Sequence, residues 1–163
     1  MKRTHSFASA VLLVLAPTCL FATERFVVKG NPGATAPYDT PATAAAEIQA
    51  AINACSDGDV VTVAATNTAY APFTVNKGIT VRGATGNFAD VVVDGASAST
   101  CVTISSAAAT VASLTAKLGQ PRCFHVTGGT VTNCHATLGN PNHNEGGSGS
   151  GIYNDGGKII ATV

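Results

Sequence analysis

Nine acidic side chains are spread through the 163 residues, and their spacing is the first test of what chemistry the chain could perform. Glycoside hydrolysis needs two carboxylates facing one another across a substrate groove. Asp57, Asp59, Asp94 and Asp155 stand beside or near glycine, where Asp is a turn former. Glu24, Asp39, Glu47, Asp90 and Glu145 are scattered singly. No Asp-Asp pair, Asn-Thr-Asp or Gly-His-Gly occurs. Lyase chemistry on an acidic polysaccharide would want clustered acids to hold calcium and an Arg or Lys as base. Arg82 and Arg122 are outward candidates, but no acid cluster falls in their columns. Neither a Ser-His-Asp nor a Cys-His arrangement is supported, and no Cys/His spacing resembles a zinc site. The residues predict no catalytic group, no metal and no cofactor.

What remains is binding chemistry. His125 and Tyr153 occupy one outward column with Thr103, and a polar-aromatic column of this kind can bind saccharides. His143 and Glu145 lie in Gly139-Asn140-Pro141-Asn142-His143-Asn144-Glu145-Gly146-Gly147-Ser148, the main irregularity in the chain, and could touch a sugar or a cation. Loops inserted on one face of a repeat array often carry binding. Each of these features also has a plain structural reading, a solvated face and an Asn/Gly loop.

The elements that would position these residues are repeats. Cys101-Val102-Thr103-Ile104-Ser105 returns as Cys123-Phe124-His125-Val126-Thr127, 22 residues on, and as Gly151-Ile152-Tyr153-Asn154-Asp155, 28 further. A second phrase, Val111-Ala112-Ser113-Leu114-Thr115-Ala116, matches Val131-Thr132-Asn133-Cys134-His135-Ala136 at an offset of 20, and Gly128-Gly129-Thr130-Val131 matches Gly156-Gly157-Lys158-Ile159 at 28. A period near 22 built from β-branched runs and Gly turns marks a solenoid. Alternation puts Val102/Ile104 and Phe124/Val126 inside. Ile79/Val81 is expected in the same column one coil earlier, with Ile152 one coil later, and Leu114 and Cys134 share a column on the second face. A β-sandwich is the rival architecture. It should show hairpin signals, and it does not explain a register kept over successive copies. Cys101 and Cys123 also share a column, near disulfide range, although in-register parallel neighbours often lack the required Cβ direction.

Before the repeats, Glu24 to Lys29 reads as a short strand. Ile48, Ala51, Ile52 and Cys55 form one apolar helical stripe, with Thr40 or Thr43 as expected N-cap and Ser56-Asp57-Gly58-Asp59 as the stop. Strands follow at Val60–Val63, Phe73–Val75, Ile79–Gly83 and Val91–Val93. Phe26-Val27-Val28, Asn31-Pro32-Gly33, Ala36-Pro37-Tyr38, Ile48-Gln49-Ala50-Ala51-Ile52, Gly58-Asp59-Val60-Val61-Thr62-Val63, Gly78-Ile79-Thr80-Val81, Val93-Asp94-Gly95, Gly128-Gly129-Thr130-Val131-Thr132-Asn133-Cys134 and Gly151-Ile152-Tyr153 together resemble exported bacterial right-handed parallel β-helix repeat proteins. The resemblance implies an all-β, pectin-lyase-like right-handed parallel β-helix with an N-terminal capping α-helix. Pro41 stands where that pattern favours an aromatic residue. The family includes polysaccharide lyases and hydrolases alongside surface and adhesin-like proteins, and fold alone does not choose among them.

Composition agrees with narrow repetitive packing: 45% hydrophobic, 6% aromatic and 11% charged. No basic cluster is present, so nucleic acid is not an expected partner. Lys2 and Arg3, the apolar run Ala8 to Leu15 and Leu20-Phe21-Ala22 read as an export signal. The run is short of the roughly 20 residues of a membrane span. Pro17 and Thr18 disfavour lipidation at Cys19. Removal of residues 1–22 leaves seven basic and nine acidic side chains, a net charge of −2.

The expected organisation is therefore 1–22 signal, 23–59 strand, loop and capping helix, and 60–163 coils, with the last coil incomplete. The chain reads as an N-terminal fragment whose open end would favour end-to-end self-association. The expected function is an exported, non-catalytic module, secreted or held at the cell surface or outer membrane, adhesin-like, with a polysaccharide or cell-surface glycan as partner. The alternative is the N-terminal part of a polysaccharide lyase or glycoside hydrolase whose site lies beyond residue 163.

Overall fold

The computed structural model describes residues 22–138 and 151–160. In chain order the elements are β1 (Glu24–Val27), α1 (Ile48–Ala54), β2 (Val60–Val63), β3 (Phe73–Val75), β4 (Thr80–Gly83), a 3-10 turn (Phe88–Asp90), β5 (Val92–Asp94), β6 (Val102–Ile104), β7 (Thr110–Ala112), β8 (Thr115–Lys117), β9 (Phe124–Val126), β10 (Thr130–Thr132), β11 (His135–Thr137), β12 (Ile152–Asn154) and β13 (Lys158–Ile160). The strands assemble into three sheets, ordered β1-β2-β4-β7-β10-β13, β5-β8-β11 and β3-β6-β9-β12. Every pairing is parallel. The described residues thus form an all-β, all-parallel architecture whose stacked sheets are consistent with a parallel β-solenoid.

The repeat offsets reappear as strand register. Val102 pairs with Phe124, and Phe124 with Ile152; Val111 pairs with Val131, and Val131 with Ile159. Successive rungs place like side chains about 4.8 Å apart, and these columns are the core. Val61, Val81, Val111 and Val131 are fully buried in one, Val102 and Phe124 in a second, and Val91, Leu114 and Cys134 in a third.

One expected column is corrected. β4 pairs with β2 and β7, so Ile79 and Val81 belong to the long sheet, and Phe73 and Val75 precede Val102 and Ile104. The strand Phe73–Val75 has the same inside-outside alternation, and alternation alone does not say which of two neighbouring strands stacks on which.

The second phrase of each repeat is two strands, not one. Ser113 and Asn133 adopt φ of 57° and 47°, a left-handed corner that turns the chain from the long sheet into the three-stranded one. Asn tolerates this conformation best among non-glycine residues. Asn133 Nδ2 also donates to Gly86 O at 2.7 Å and to Ser113 Oγ at 3.1 Å, which ties the corner of one coil to the corner below it. The corner is crowded: a Cβ on Gly83 would lie 2.3 Å from the Ser113 carbonyl oxygen.

The helix matches its apolar stripe but begins later than a cap at Thr40 or Thr43 would place it. It begins at Ile48 after Glu47, which gives no side-chain cap. Thr40 and Thr43 do not cap it; their hydroxyls hydrogen-bond to each other at 2.7 Å in a turn. The reason lies in β1. Ala45 N–H donates to Phe26 O at 2.8 Å and its carbonyl accepts from Val28 N–H at 2.9 Å, so residues around Ala45 are extended alongside β1 instead of helical. Ile48, Ala51 and Ile52 are buried against β1, β2 and β3.

Candidate functional site

Thr103, His125 and Tyr153 stand at the centres of β6, β9 and β12 and are paired in register, with Thr74 of β3 before them. Their neighbours Val102, Ile104, Phe124 and Val126 are fully buried. Since successive residues of a strand face opposite ways, the central residues lie on the outer face, where all three are half-buried. The His125 and Tyr153 rings are 5.5 Å apart at 56°, a tilted arrangement favoured by the ring quadrupoles.

Arg122 completes this patch. Its guanidinium carbon sits 4.0 Å from the centre of the Tyr153 ring, within the range of cation–π attraction. The ion pairs among the described residues involve Arg25, Lys29, Arg82 and Lys117 and leave Arg122 without a carboxylate. Its Nε is buried with no hydrogen-bond partner. The patch therefore presents a phenol, an imidazole and a cation that no carboxylate among the described residues compensates, groups suited to hydroxyl-rich or anionic ligands. The sequence placed His125 and Tyr153 together and Arg122 outward, but not Arg122 over Tyr153. The available signal was position: Arg122 immediately precedes the second copy of the repeat, and its side chain is long enough to reach the next rung. His143 and Glu145 lie outside the described residues.

Most of the carboxylates have structural partners. Asp59 accepts from the Thr23 and Ser56 amides, both at 2.9 Å, and faces Arg25 at 3.6 Å. Burial pushes its pKa up, but the amides of Ser56 and Thr23 and the Arg25 guanidinium outweigh that and hold it below the usual value. Glu24 is also lowered, chiefly by the Thr62 hydroxyl; burial opposes this, and Arg82 adds smaller lowering contributions. One acid thus does lie within reach of Arg82, at 3.2 Å. Asp94 pairs with Lys117 at 3.2 Å and accepts from Ala96 N–H, Glu47 pairs with Lys29, Asp57 accepts from Gly78 N–H at 2.8 Å, and Asp90 accepts from Asn87. Among the described residues no three of His, Cys, Asp and Glu converge on a common point.

A second aromatic contact, Phe88 with His135 at 5.6 Å, sits on the three-stranded sheet and lacks a cation. Cys55, Cys101, Cys123 and Cys134 are buried thiols. Burial raises the Cys134 thiol to about 11. No helix among the described residues is long and apolar enough to cross a membrane. A scan against protein-family models found no match, and searches of curated proteins and of solved structures found none either.

Proposed function

We propose that this chain is an exported, non-catalytic right-handed parallel β-helix module with α1 as its N-terminal cap, and that its outer β6-β9-β12 face binds a surface or extracellular glycan. The hand follows the strong general preference for right-handed parallel crossovers. The observation that carries the binding reading is Arg122 stacked on Tyr153 beside His125, an aromatic and cationic patch without a carboxylate partner among the described residues. The rungs repeat along the face, which matches the periodic shape of a polysaccharide. The non-catalytic reading is supported by the structural partners of Asp59, Asp94, Glu24 and Glu47, which tie these acids into the fold.

Affinity electrophoresis of the chain through gels containing pectin, alginate or neutral dextran tests this. The acidic polymers should retard it, and Arg122→Ala or Tyr153→Ala should weaken retardation several-fold without changing thermal unfolding. Equal mobility in every gel would overturn glycan binding. Release of polymer fragments that survives purification and disappears on Asp→Asn substitution would overturn the non-catalytic reading.

A further inference from the structure

Cys101 and Cys123 occupy equivalent places in successive coils, each one residue before a paired strand. In the third copy that place is Gly151, whose carbonyl accepts from the amides of Cys123 and Phe124 at 3.1 and 3.0 Å. The column therefore holds two thiols and no third. Both are fully buried. Cys101 Sγ lies 3.1 Å from Lys117 O, and Cys123 Sγ lies 3.5 Å from Thr137 O. Lys117 and Thr137 are themselves register partners, so the two sulfurs make the same contact one rung apart and point the same way. Adjacent rungs put the two Cα atoms about 4.8 Å apart, inside the span a disulfide bridges, and closing the bridge requires each Sγ to turn from its carbonyl toward the other rung.

We infer that Cys101 and Cys123 are a cross-coil disulfide site, closed by thiol–disulfide exchange as the coils fold onto one another. The two thiols lie within interaction range, and that contact favours ionisation of Cys123 first; the same contact, with burial, holds the second proton on Cys101 far above the usual thiol range. A thiolate is the attacking species. The Cys123 thiolate attacks one sulfur of a small disulfide oxidant such as glutathione disulfide and expels one glutathione thiolate. Cys101 then loses its proton and attacks the Cys123 sulfur of the mixed disulfide, expelling the second. Two protein thiols are oxidised, one oxidant disulfide is reduced to two thiols, and the two protein protons pass to the expelled thiolates or solvent.

Among the described residues the other two thiols are not placed to compete. Cys55 Sγ donates to Ala51 O at 3.3 Å beside α1. Cys134 Sγ faces the carbonyls of Thr132 and Val111 at 3.3 and 3.7 Å in another column.

The test is to denature and reduce the full chain, refold it with a glutathione redox mixture, block free thiols with an alkylating reagent and map the tryptic peptides. Lys117 and Arg122 separate Cys101 from Cys123 in the digest, while Cys123 and Cys134 share the peptide 123–158, so a link appears as a cross-linked pair two hydrogens lighter than its parts, and fragmentation of that pair locates which cysteine carries the alkyl group. We expect that pair, with Cys19, Cys55 and Cys134 alkylated, a raised unfolding midpoint relative to the reduced chain, and the same link retained in Cys134→Ser. Alkylated Cys101 and Cys123 in a chain that has refolded overturns the inference. So does glutathione left on Cys123, or a dominant link that uses Cys55 or Cys134. The readout is on the unsubstituted chain, so it does not depend on a cysteine variant folding, and it stands apart from the proposed export and glycan binding.

Discussion

The ammonium of Lys77 lies 2.6 Å from the carbonyl oxygen of Cys55, and also reaches the carbonyls of Ile52 and Asn53 at 3.0 Å. These are carbonyls at the C-terminal end of α1, where the last acceptors of a helix lack the donor one turn on; that of Ile52 also accepts from Cys55 N–H at 3.1 Å. A cation there meets both these acceptors and the negative end of the helix dipole. Lys77 thus joins the helix to the turn that leads into β4. Lys77→Met should lower stability by about 1.5–3 kcal/mol, the range for hydrogen bonds to charged groups. Lys77→Arg should recover part of it. Urea unfolding of the three proteins measures this.

Ile48 is fully buried, and the α1 face it belongs to packs on β1, β2 and β3. Ile48→Ala should cost about 2–5 kcal/mol. Ile48→Asp should strip amide-exchange protection from Phe73–Val75 and promote aggregation, because β3 is the end strand of its sheet and α1 packs on it, with Thr74 N–H donating to Gln49 Oε1 at 2.8 Å. A monomeric Ile48→Asp chain with unchanged protection would show that the helix is not what covers that edge.

The coil register was legible in the sequence because columns of β-branched residues impose it. Val102 on Phe124 and Val111 on Val131 follow directly from the repeat offsets. Two things were not legible. The first half of the expected helix is extended, because backbone bonds between Ala45 and the ends of β1 outcompete a helical turn that has no long-range partner. The corner at Ser113 and Asn133 was also hidden, because a single left-handed residue leaves no mark on hydrophobic alternation. For the site, alternation showed that His125 and Tyr153 share a face. Arg122 over Tyr153 depends on a side-chain path that periodicity does not encode.

The corner itself makes a prediction. Asn133 holds φ 47° and bonds to Gly86 and Ser113. Asn133→Gly removes the side-chain bonds but keeps the conformation accessible, and should cost about 0.5–1.5 kcal/mol. Asn133→Ala loses the same bonds and must also hold a left-handed backbone with a Cβ, which adds about 1–2 kcal/mol. The Ala variant should therefore unfold at lower urea than the Gly variant. The reverse order would mean that the backbone angle is not what selects Asn here.

Acid should unfold this protein through Asp59. Its folded-state pKa lies below the unfolded value because the Ser56 and Thr23 amides and Arg25 outweigh the opposing effect of burial. A depressed carboxylate pKa means that the unfolded chain binds the proton more readily. The stabilisation is then fully present above the unfolded pKa of about 3.9 and is lost as pH falls through the lower folded value. Glu24 contributes in the same direction, but its side chain is 42% exposed and its pair with Arg82 is screened by solvent. Asp59→Asn should cost about 1.5–3 kcal/mol at neutral pH, since an amide cannot accept from both backbone N–H groups and leaves the Arg25 guanidinium without its carboxylate. It should also flatten the fall in stability between about pH 5 and pH 2, because the group that takes up the proton is gone. Glu24→Gln should do little at neutral pH and leave most of the acid slope intact. Urea midpoints for the three chains across that pH range decide it. A slope unchanged by Asp59→Asn would move the acid sensitivity to another carboxylate.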